Sequence, residues 1–254
     1  MRIIISPAKK MKMDVDTLPY KNTPQFMEYT KILCEYLKKL EYATLKEIWK
    51  CNDNLAELNY NRIKEMNLET DLTPAILSYE GIQYQYMSPS VFVHKELDYL
   101  EEHLRILSGF YGMLKPFDGV VPYRLEMQAR LGGKDIDSLY TFWEDKLSIQ
   151  LFSESDCIIN LASKEYSKCI SSNLKKNVRL ITCVFGELFQ DKVIEKGTKV
   201  KMARGEMVRF MAENQIKNPE EVKNFHGLHY SYSEQFSDES KYVFLSGSQS
   251  SEKF

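Results

Sequence analysis

Apolar side chains recur at helical spacing along much of the chain. From Pro24 to Leu40 they return every three or four residues, and Thr23 before Pro24 is typical of a helix N-cap and first turn. The same periodicity predicts several further helices. They cover residues 44–49, 53–66, 95–103, 138–151 and 203–214.

Short β-branched and aromatic runs predict strands between these helices. Residues 2–6 contain three consecutive isoleucines before Pro7, a run too short and too stiff for a helix. Similar runs predict extended segments at residues 75–79, 123–127, 157–162, 178–185, 188–194, 228–232 and 242–245.

The irregular alternation of strands and helices favours a mixed α/β (α+β) fold. We expect a single compact domain over residues 1–246, with a central mixed sheet surrounded by helices. Residues 247–254 are polar and are predicted to form a disordered tail.

Composition excludes several classes of protein. With 254 residues, of which 43% are hydrophobic and 28% are charged, the chain has the balance of a soluble single domain. It contains no run of roughly 20 apolar residues and no signal-peptide core, so we expect a cytoplasmic protein with no membrane partner. The five cysteines form no C-x-x-C pair and the four histidines are scattered, which predicts reduced thiols, no metal site and no cofactor.

Positive charge is concentrated in one part of the chain. The formal net charge is −2, yet residues 164–209 carry eleven basic and five acidic side chains. Such a distribution is compatible with a basic face for phosphate binding or with an ordinary solvated surface.

Two glycines and three cations lie close together in the middle of the chain. Gly109 and Gly112 allow backbone amides to approach an anion, and Arg105, Lys115 and Arg124 add positive charge around them. Both a phosphate cradle and a simple tight turn fit this spacing.

Arg124 and Glu126 alternate with apolar residues on an extended backbone, so their side chains are predicted to share one face. The two charges can satisfy each other as a structural pair. Alternatively, Arg124 holds a phosphate while Glu126 orients it or acts as a general base.

Polar side chains also follow two predicted strands. Asn160, Ser163 and Glu165 come where the strand 157–162 leads into a helix, although Ser163 is equally suited to cap that helix. Lys9 and Lys10 follow the first strand in the same way. If the two strands are neighbours, both loops flank one cleft.

Lys201, Arg204 and Arg209 are spaced near one helical turn apart, which suits contacts with a phosphate backbone. The chain contains no phosphate-binding P-loop, no G-x-S-x-G, no H-E-x-x-H and no G-x-G-x-x-G. The sequence therefore carries no strong enzyme motif.

Seven segments stand out when they are taken together. They are Ile5–Lys9, Asn54–Arg62, Ala75–Gly81, His103–Pro116, Pro122–Met127, Asn160–Tyr166 and Ala203–Met207. In this order they resemble the signature blocks of the YaaA peroxide-stress family, and the resemblance extends from Met1 to about Leu245.

The resemblance implies a cytosolic protein that protects bacteria during hydrogen-peroxide stress and limits unincorporated iron. It also implies a family-specific fold with a positively charged cleft and a helix-hairpin-helix element that binds double-stranded or distorted DNA. We place the hairpin of that element near Leu107–Leu114.

Two hypotheses of different class follow. The first is a monomeric DNA-binding stress protein without turnover, whose contacts with phosphates do not depend on base sequence. Its candidate phosphate contacts are Lys9, Lys10, Arg105, Gly109, Gly112, Lys115, Arg124, Asn160, Ser163, Lys201, Arg204 and Arg209. The second is an enzyme that acts on a nucleotide or nucleic acid through Glu126, Asn160, Ser163 and Glu165. Direct iron binding is a third possibility, for which the sequence offers no ligand cluster.

Overall fold

A central sheet runs through the protein, with helices packed around it. The structure is a computed structural model that describes residues 1–133 and 136–247, so the predicted tail beyond Gly247 lies outside the described residues. The strands are β1 (Arg2–Ile5), β2 (Lys10–Met11), β3 (Thr73–Pro74), β4 (Tyr79–Glu80), β5 (Leu104–Ser108), β6 (Gly112–Leu114), β7 (Gly119–Val120), β8 (Cys157–Leu161), β9 (Arg179–Phe189), β10 (Lys192–Ile194), β11 (Tyr230–Tyr232) and β12 (Lys241–Ser246).

Helices occupy most of the segments between the strands, together with short 3₁₀ turns. They are α1 (Met27–Lys39), α2 (Tyr42–Trp49), α3 (Asp53–Glu65), α4 (Ala75–Ser78), α5 (Ile82–Met87), α6 (His94–His103), α7 (Leu139–Trp143), α8 (Lys146–Glu154), α9 (Lys164–Ser171) and α10 (Gly197–Glu213). Over the described residues, no helix is long and apolar enough to cross a lipid bilayer.

Five parallel strands form the middle of the sheet, in the order β5, β1, β8, β9 and β12. An antiparallel strand closes each side, β6 beside β5 and β11 beside β12, while β10 forms a hairpin with the end of β9. Two small ribbons, β2 with β4 and β3 with β7, lie outside this sheet. The predicted mixed α/β domain with a central mixed sheet is confirmed.

The first strand explains why the sheet is covered on both faces. Ile3, Ile4 and Ile5 are all fully buried, although alternate residues of a strand point to opposite faces. A continuous apolar run is typical of a parallel strand with packed layers above and below it. The isoleucine run therefore marks the middle of the core.

Two predicted extended segments take another form. Residues 75–79 were expected to be extended, but Ala75–Ser78 form the short helix α4, whose first two amides donate to the carbonyls of Asp118 and Pro116. Two neighbouring strands do form in the region predicted at 178–185 and 188–194, but the break is not at Gly186. The first strand, β9, continues through Gly186 to Phe189, and the chain reverses at Gln190 and Asp191, both of which have positive φ, before β10.

The predicted helix 138–151 is divided in two. Glu144 has φ of +47°, which ends α7 before α8 begins. In contrast, the helix predicted to begin at Ala203 begins at Gly197 and continues to Glu213.

The prediction that the turn at Leu107–Leu114 is the hairpin of a helix-hairpin-helix is wrong, because the turn joins two strands. These residues belong to β5, β6 and the turn between them, with Ser108 opposite Gly112 in an antiparallel pair. All of them are buried. The amides of Phe110 and Tyr111 donate to Ser108 Oγ at 3.2 and 2.9 Å, so the turn satisfies its own donors inside the core.

Candidate functional site

The carboxyl ends of β1 and β8 lie side by side and border a crevice. Within the sheet, β1 is followed along the chain by its neighbour β5 on one side, whereas β8 is followed by its neighbour β9 on the opposite side. In open parallel sheets, ligands bind where neighbouring strands connect in opposite directions in this way. Ser6, directly after β1, accepts a hydrogen bond at 2.8 Å from the backbone amide of Ser163, which follows β8. The two loops that the sequence singled out therefore do meet.

We call this crevice the central cleft. It has a volume of about 470 Å³. It is lined by Ser6, Pro7, Ala8, Lys9, Lys10, Glu80, Gly81, Ile82, Gln83, Tyr84, Tyr123, Arg124, Leu125, Glu126, Ser163, Glu165, Tyr166, Lys201 and Arg204. The strand loops, the segment before α7, α5 and α10 thus all contribute to one concave surface with five cations and three carboxylates.

Three of the five cations pair with carboxylates of the same cleft. Lys9 Nζ lies 2.7 Å from Glu126 Oε2, and Arg124 lies 3.3 Å from the other oxygen of Glu126. Lys10 pairs with Glu80 at 2.9 Å. Both lysines are well exposed, so these pairs contribute little stability and can open to receive an anionic ligand.

Arg124 and Arg204 retain buried donors. The Arg124 side chain is 9% exposed, and its Nε has no hydrogen-bond partner among the described residues. Nε of Arg204 is in the same condition, and burial lowers the pKa of this guanidinium while leaving it charged. Lys201, one helical turn earlier on α10, is exposed at the rim. A planar guanidinium with free donors is suited to bind phosphate or carboxylate oxygens.

Glu165 is the most perturbed acid of the cleft. Burial raises its pKa above the ordinary range, and the neighbouring charge of Glu126 raises it further. Its carboxylate accepts the backbone amide of Gln128 at 3.2 Å. Two carboxyl groups with different environments in one cleft are what acid and base catalysis requires.

Three of the predicted cations lie outside the central cleft, and two of these, Arg105 and Lys115, lie close together. Arg105 is a buried residue of β5, and its Nε and Nη2 donate to Glu154 at the end of α8 at 2.8 and 2.7 Å. Lys115 is exposed beside this pair, near Asp118. Neither lines the central cleft.

The two glycines lie in the core. A Cβ on Gly109 would fall 2.6 Å from the carbonyl oxygen of Leu125, and a Cβ on Gly112 would meet the ring of Trp143 at 2.9 Å. The indole of Trp143 donates to the Gly109 carbonyl at 3.0 Å. These glycines permit close packing of the β5–β6 turn and present no amide to the cleft.

Asn160 and Arg209 also have structural partners. Asn160 is buried, bonds Thr182 Oγ1 at 3.1 Å and accepts the amide of Ala162 at 3.0 Å, which fixes the end of β8. Arg209 pairs with Glu213 one turn later at 2.8 Å.

The basic segment 164–209 is distributed over the molecule. Lys196 and Lys199 pair with Glu187 at 2.6 and 2.7 Å, and Arg179 pairs with Glu220 at 3.2 Å. Only Lys201 and Arg204 among its cations line the central cleft. The local excess of charge in the sequence is therefore not a single basic face.

The sequence interpretation missed one wall of the cleft, formed by Ile82, Gln83 and Tyr84 at the start of α5. A signal was present in Gly81, where a Cβ would fall 2.9 Å from that of Ala8. A glycine at this position permits α5 to approach the loop after β1.

The charged side chains that line the cleft are lysines, arginines and glutamates. Across residues 1–133 and 136–247, no group of three or more His, Cys, Asp or Glu side chains is arranged to hold a metal ion.

Known proteins resemble this chain over nearly its whole length. A family model described as peroxide stress protein YaaA matches residues 1–236. A UPF0246 protein of Lachnoclostridium phytofermentans is 59% identical over 247 residues, covering 97% of both chains. A UPF0246 protein of Desulfitobacterium hafniense is 54% identical and covers 96% of this chain and 98% of its own, and one of Pediococcus pentosaceus is 49% identical with the same coverage. The chain therefore belongs to the YaaA family of peroxide stress proteins.

Proposed function

We propose that the protein acts in the cytoplasmic response to peroxide as a monomer that binds DNA through the central cleft, without reading base sequence. The observation that carries the proposal is the pair of arginines, Arg124 and Arg204, whose buried Nε donors lack partners among the described residues. Because both Nε atoms are buried, a phosphate can bond them only after these side chains turn into the cleft. The bonds then made relieve the cost of unmade hydrogen bonds on buried charged groups.

The rim of the cleft supplies further contacts. Lys9, Lys10 and Lys201 are exposed around its mouth and can neutralise phosphates on either side of the one held inside. Their partners Glu126 and Glu80 also line the cleft, which limits the number of phosphates that are neutralised.

Titration of a fluorescent duplex at physiological salt tests the proposal. We expect the Lys201→Ala, Arg204→Ala double variant to bind about tenfold or more weakly, because two phosphate contacts are lost. Lys175→Ala, Lys176→Ala is the matched control, since this exposed pair belongs to the same basic segment but follows α9 and precedes β9, away from the cleft. Equal affinities of the two double variants would reject the central cleft as the DNA site.

Limitation of free iron is part of the same proposal. In cells exposed to hydrogen peroxide, the Lys201→Ala, Arg204→Ala variant should leave more loosely bound iron than the wild type, as measured by electron paramagnetic resonance of whole cells. Iron levels equal to those of the wild type would separate this role from the cleft.

Glu165 favours a second candidate, an enzyme that acts on a nucleotide or nucleic acid. Its raised pKa and its position beside Glu126 suit a general acid. Incubation with DNA, RNA and nucleotides, with and without a divalent cation, should then yield a product that Glu165→Gln abolishes while ligand affinity is kept. If no product forms with the wild type under any condition, this candidate is rejected.

A further inference from the structure

The central cleft is too small for a double helix and large enough for one small molecule. Its volume of about 470 Å³ lies in the range of roughly 300–1,000 Å³ that is usual for small-ligand pockets. The major groove of DNA alone is about 12 Å wide, so a duplex can lie only across the mouth. The part of a ligand that reaches Arg124 and Arg204 inside must be narrower than a duplex, such as one phosphate group of a strand lying across the mouth or a single nucleotide unit.

The inner walls are aromatic and apolar. Tyr84, Tyr123 and Tyr166 line the cleft together with Ile82 and Leu125. Nucleic-acid bases bind to such surfaces because every base has a flat face that stacks on an aromatic ring. Phosphate binding alone would not require this surface.

Two of the three tyrosine rings are held in place by bonds from their hydroxyl groups. Tyr84 donates to the carbonyl of Ser6 at 3.0 Å, and the hydroxyl of Tyr123 lies 2.6 Å from Ser108 Oγ and 2.8 Å from that of Tyr79. All three tyrosines are buried, so together with Ile82 and Leu125 they present a narrow, rigid apolar surface to the cleft. A preformed wall loses little entropy when a ligand binds.

We infer that the interior of the central cleft is a pocket for a single nucleoside phosphate unit, with its phosphate on Arg124 and Arg204 and its base against the tyrosine wall. The inference rests on the phosphate-binding role proposed above and names the ligand class of that site. The unit has two sources, a free nucleotide or one residue of a nucleic-acid strand that has left its stack.

Calorimetric titration of the wild-type protein with nucleoside monophosphates, ribose 5-phosphate and inorganic phosphate tests the pocket. We expect the nucleotides to bind about 5- to 150-fold more tightly than ribose 5-phosphate, since stacking of a base contributes roughly 1–3 kcal/mol. Equal affinity for ribose 5-phosphate and a nucleotide would overturn the inference.

Two variants locate the binding. Arg204→Gln removes the inner cation and should weaken nucleotide binding about tenfold or more. Ile82→Trp places a large ring inside the cleft and should exclude nucleotides, with thermal melting as the check that it folds. The control Lys175→Ala, Lys176→Ala should bind nucleotides as the wild type does, and an unchanged affinity in Arg204→Gln would overturn the inference.

Duplex binding measured on the same samples separates the two proposals. Duplex binding without nucleotide binding would overturn the pocket and leave the DNA proposal standing. Nucleotide binding without duplex binding would overturn the DNA proposal and leave the nucleotide pocket standing. A duplex with one unpaired residue that binds more tightly than both a fully paired duplex and the free nucleotide assigns the strand as the source, and a free nucleotide that binds the most tightly of the three assigns the free form.

Discussion

Arg105 and Arg124 are both buried arginines, but only Arg124 retains a free donor for a ligand. Arg105 uses its guanidinium on Glu154 and on the carbonyls of Glu101 and Leu104. Arg124 has one long bond to Glu126 and another to the Trp49 carbonyl at 3.5 Å, and Nε is left over. Removing Arg105 leaves the buried charge of Glu154 uncompensated. Substitution of Arg105 should therefore lower stability, whereas substitution of Arg124 should mainly lower ligand affinity.

Substitution of Arg105 should therefore affect stability and not DNA affinity. We expect Arg105→Met to lower the free energy of unfolding by about 2–4 kcal/mol, because among the described residues Glu154 then keeps Arg2 alone as a cationic partner. Urea denaturation measures the loss, and the exposed Lys115→Met should stay within about 0.5 kcal/mol of the wild type. A folded Arg105→Met protein that binds DNA much more weakly would contradict this assignment.

Asp118 is a second buried ionisable side chain outside the cleft. Its side chain accepts the backbone amide of Lys115 at 2.8 Å, and the residue is 2% exposed. Burial raises the pKa of this carboxyl to about 7. An ordinary aspartate in the unfolded chain has a pKa of about 3.9, so the folded protein binds the proton more tightly.

The stability contributed by protonated Asp118 is therefore complete below about pH 4 and lost as the pH rises through 7. Asp118→Asn mimics the protonated form and should remove this dependence. We subtract the free energy of unfolding of the wild type from that of the variant at each pH. This difference should be about 1–3 kcal/mol more favourable to the variant at pH 8 than at pH 5, measured by urea denaturation at both values. The same difference at the two pH values would show that Asp118 does not titrate in this window.

At the scale of elements, the contact between α5 and α10 shapes the cleft. A Cβ on Gly205 of α10 would overlap the carbonyl oxygen of Gln83 on α5. This close approach brings Lys201 and Arg204 of α10 to the same cleft as Ile82 of α5. The glycine is therefore a requirement of the site as well as of the packing.

Gly205→Ala should push the two helices apart. We expect a loss of about 1–3 kcal/mol in the free energy of unfolding and weaker DNA binding in the protein that remains folded. Gly197→Ala is the matched control, because it lies in the same helix with open space around its Cβ position and should be neutral or slightly stabilising. Equal stability of the two variants would mean that α5 and α10 adjust without cost.

For the whole molecule, the distribution of charge matters more than its sum. The cations of the segment 164–209 are spread over several elements, and four of them, Arg179, Lys196, Lys199 and Arg209, are paired with nearby carboxylates. The central cleft gathers its five cations from three separate parts of the chain. Its three carboxylates limit the positive potential that it presents.

DNA affinity should consequently depend on salt to a moderate degree. If two to five phosphates are neutralised, the slope of log affinity against log salt concentration should lie between about −2 and −4.5. Binding measured from low to physiological salt gives this slope. A value steeper than about −6 would require a larger cationic surface than the cleft and would contradict the proposed site.

The sequence by itself determined those helices and strands whose formation depends on neighbouring residues alone. The helices near α1, α3 and α6 and the strands β1 and β8 follow from periodicity, capping and β-branched runs, which act over a few residues. Prediction failed at α4 and at the β5–β6 hairpin, where bonds to distant segments or packing in the core decide the backbone. The sequence also indicated that the loops after β1 and β8 carry polar groups suited to a ligand.

Only the tertiary structure decided which of these groups share a site. Ser6 and Ser163 meet because β1 and β8 pair in parallel, and no local pattern encodes the pairing of strands so far apart in the chain. The same holds for the arginines, since the sequence does not show that Arg105 finds Glu154 while Arg124 keeps a free donor. The physical reason is that the chemistry of a charged side chain depends on its partners and its burial, and long-range packing sets both.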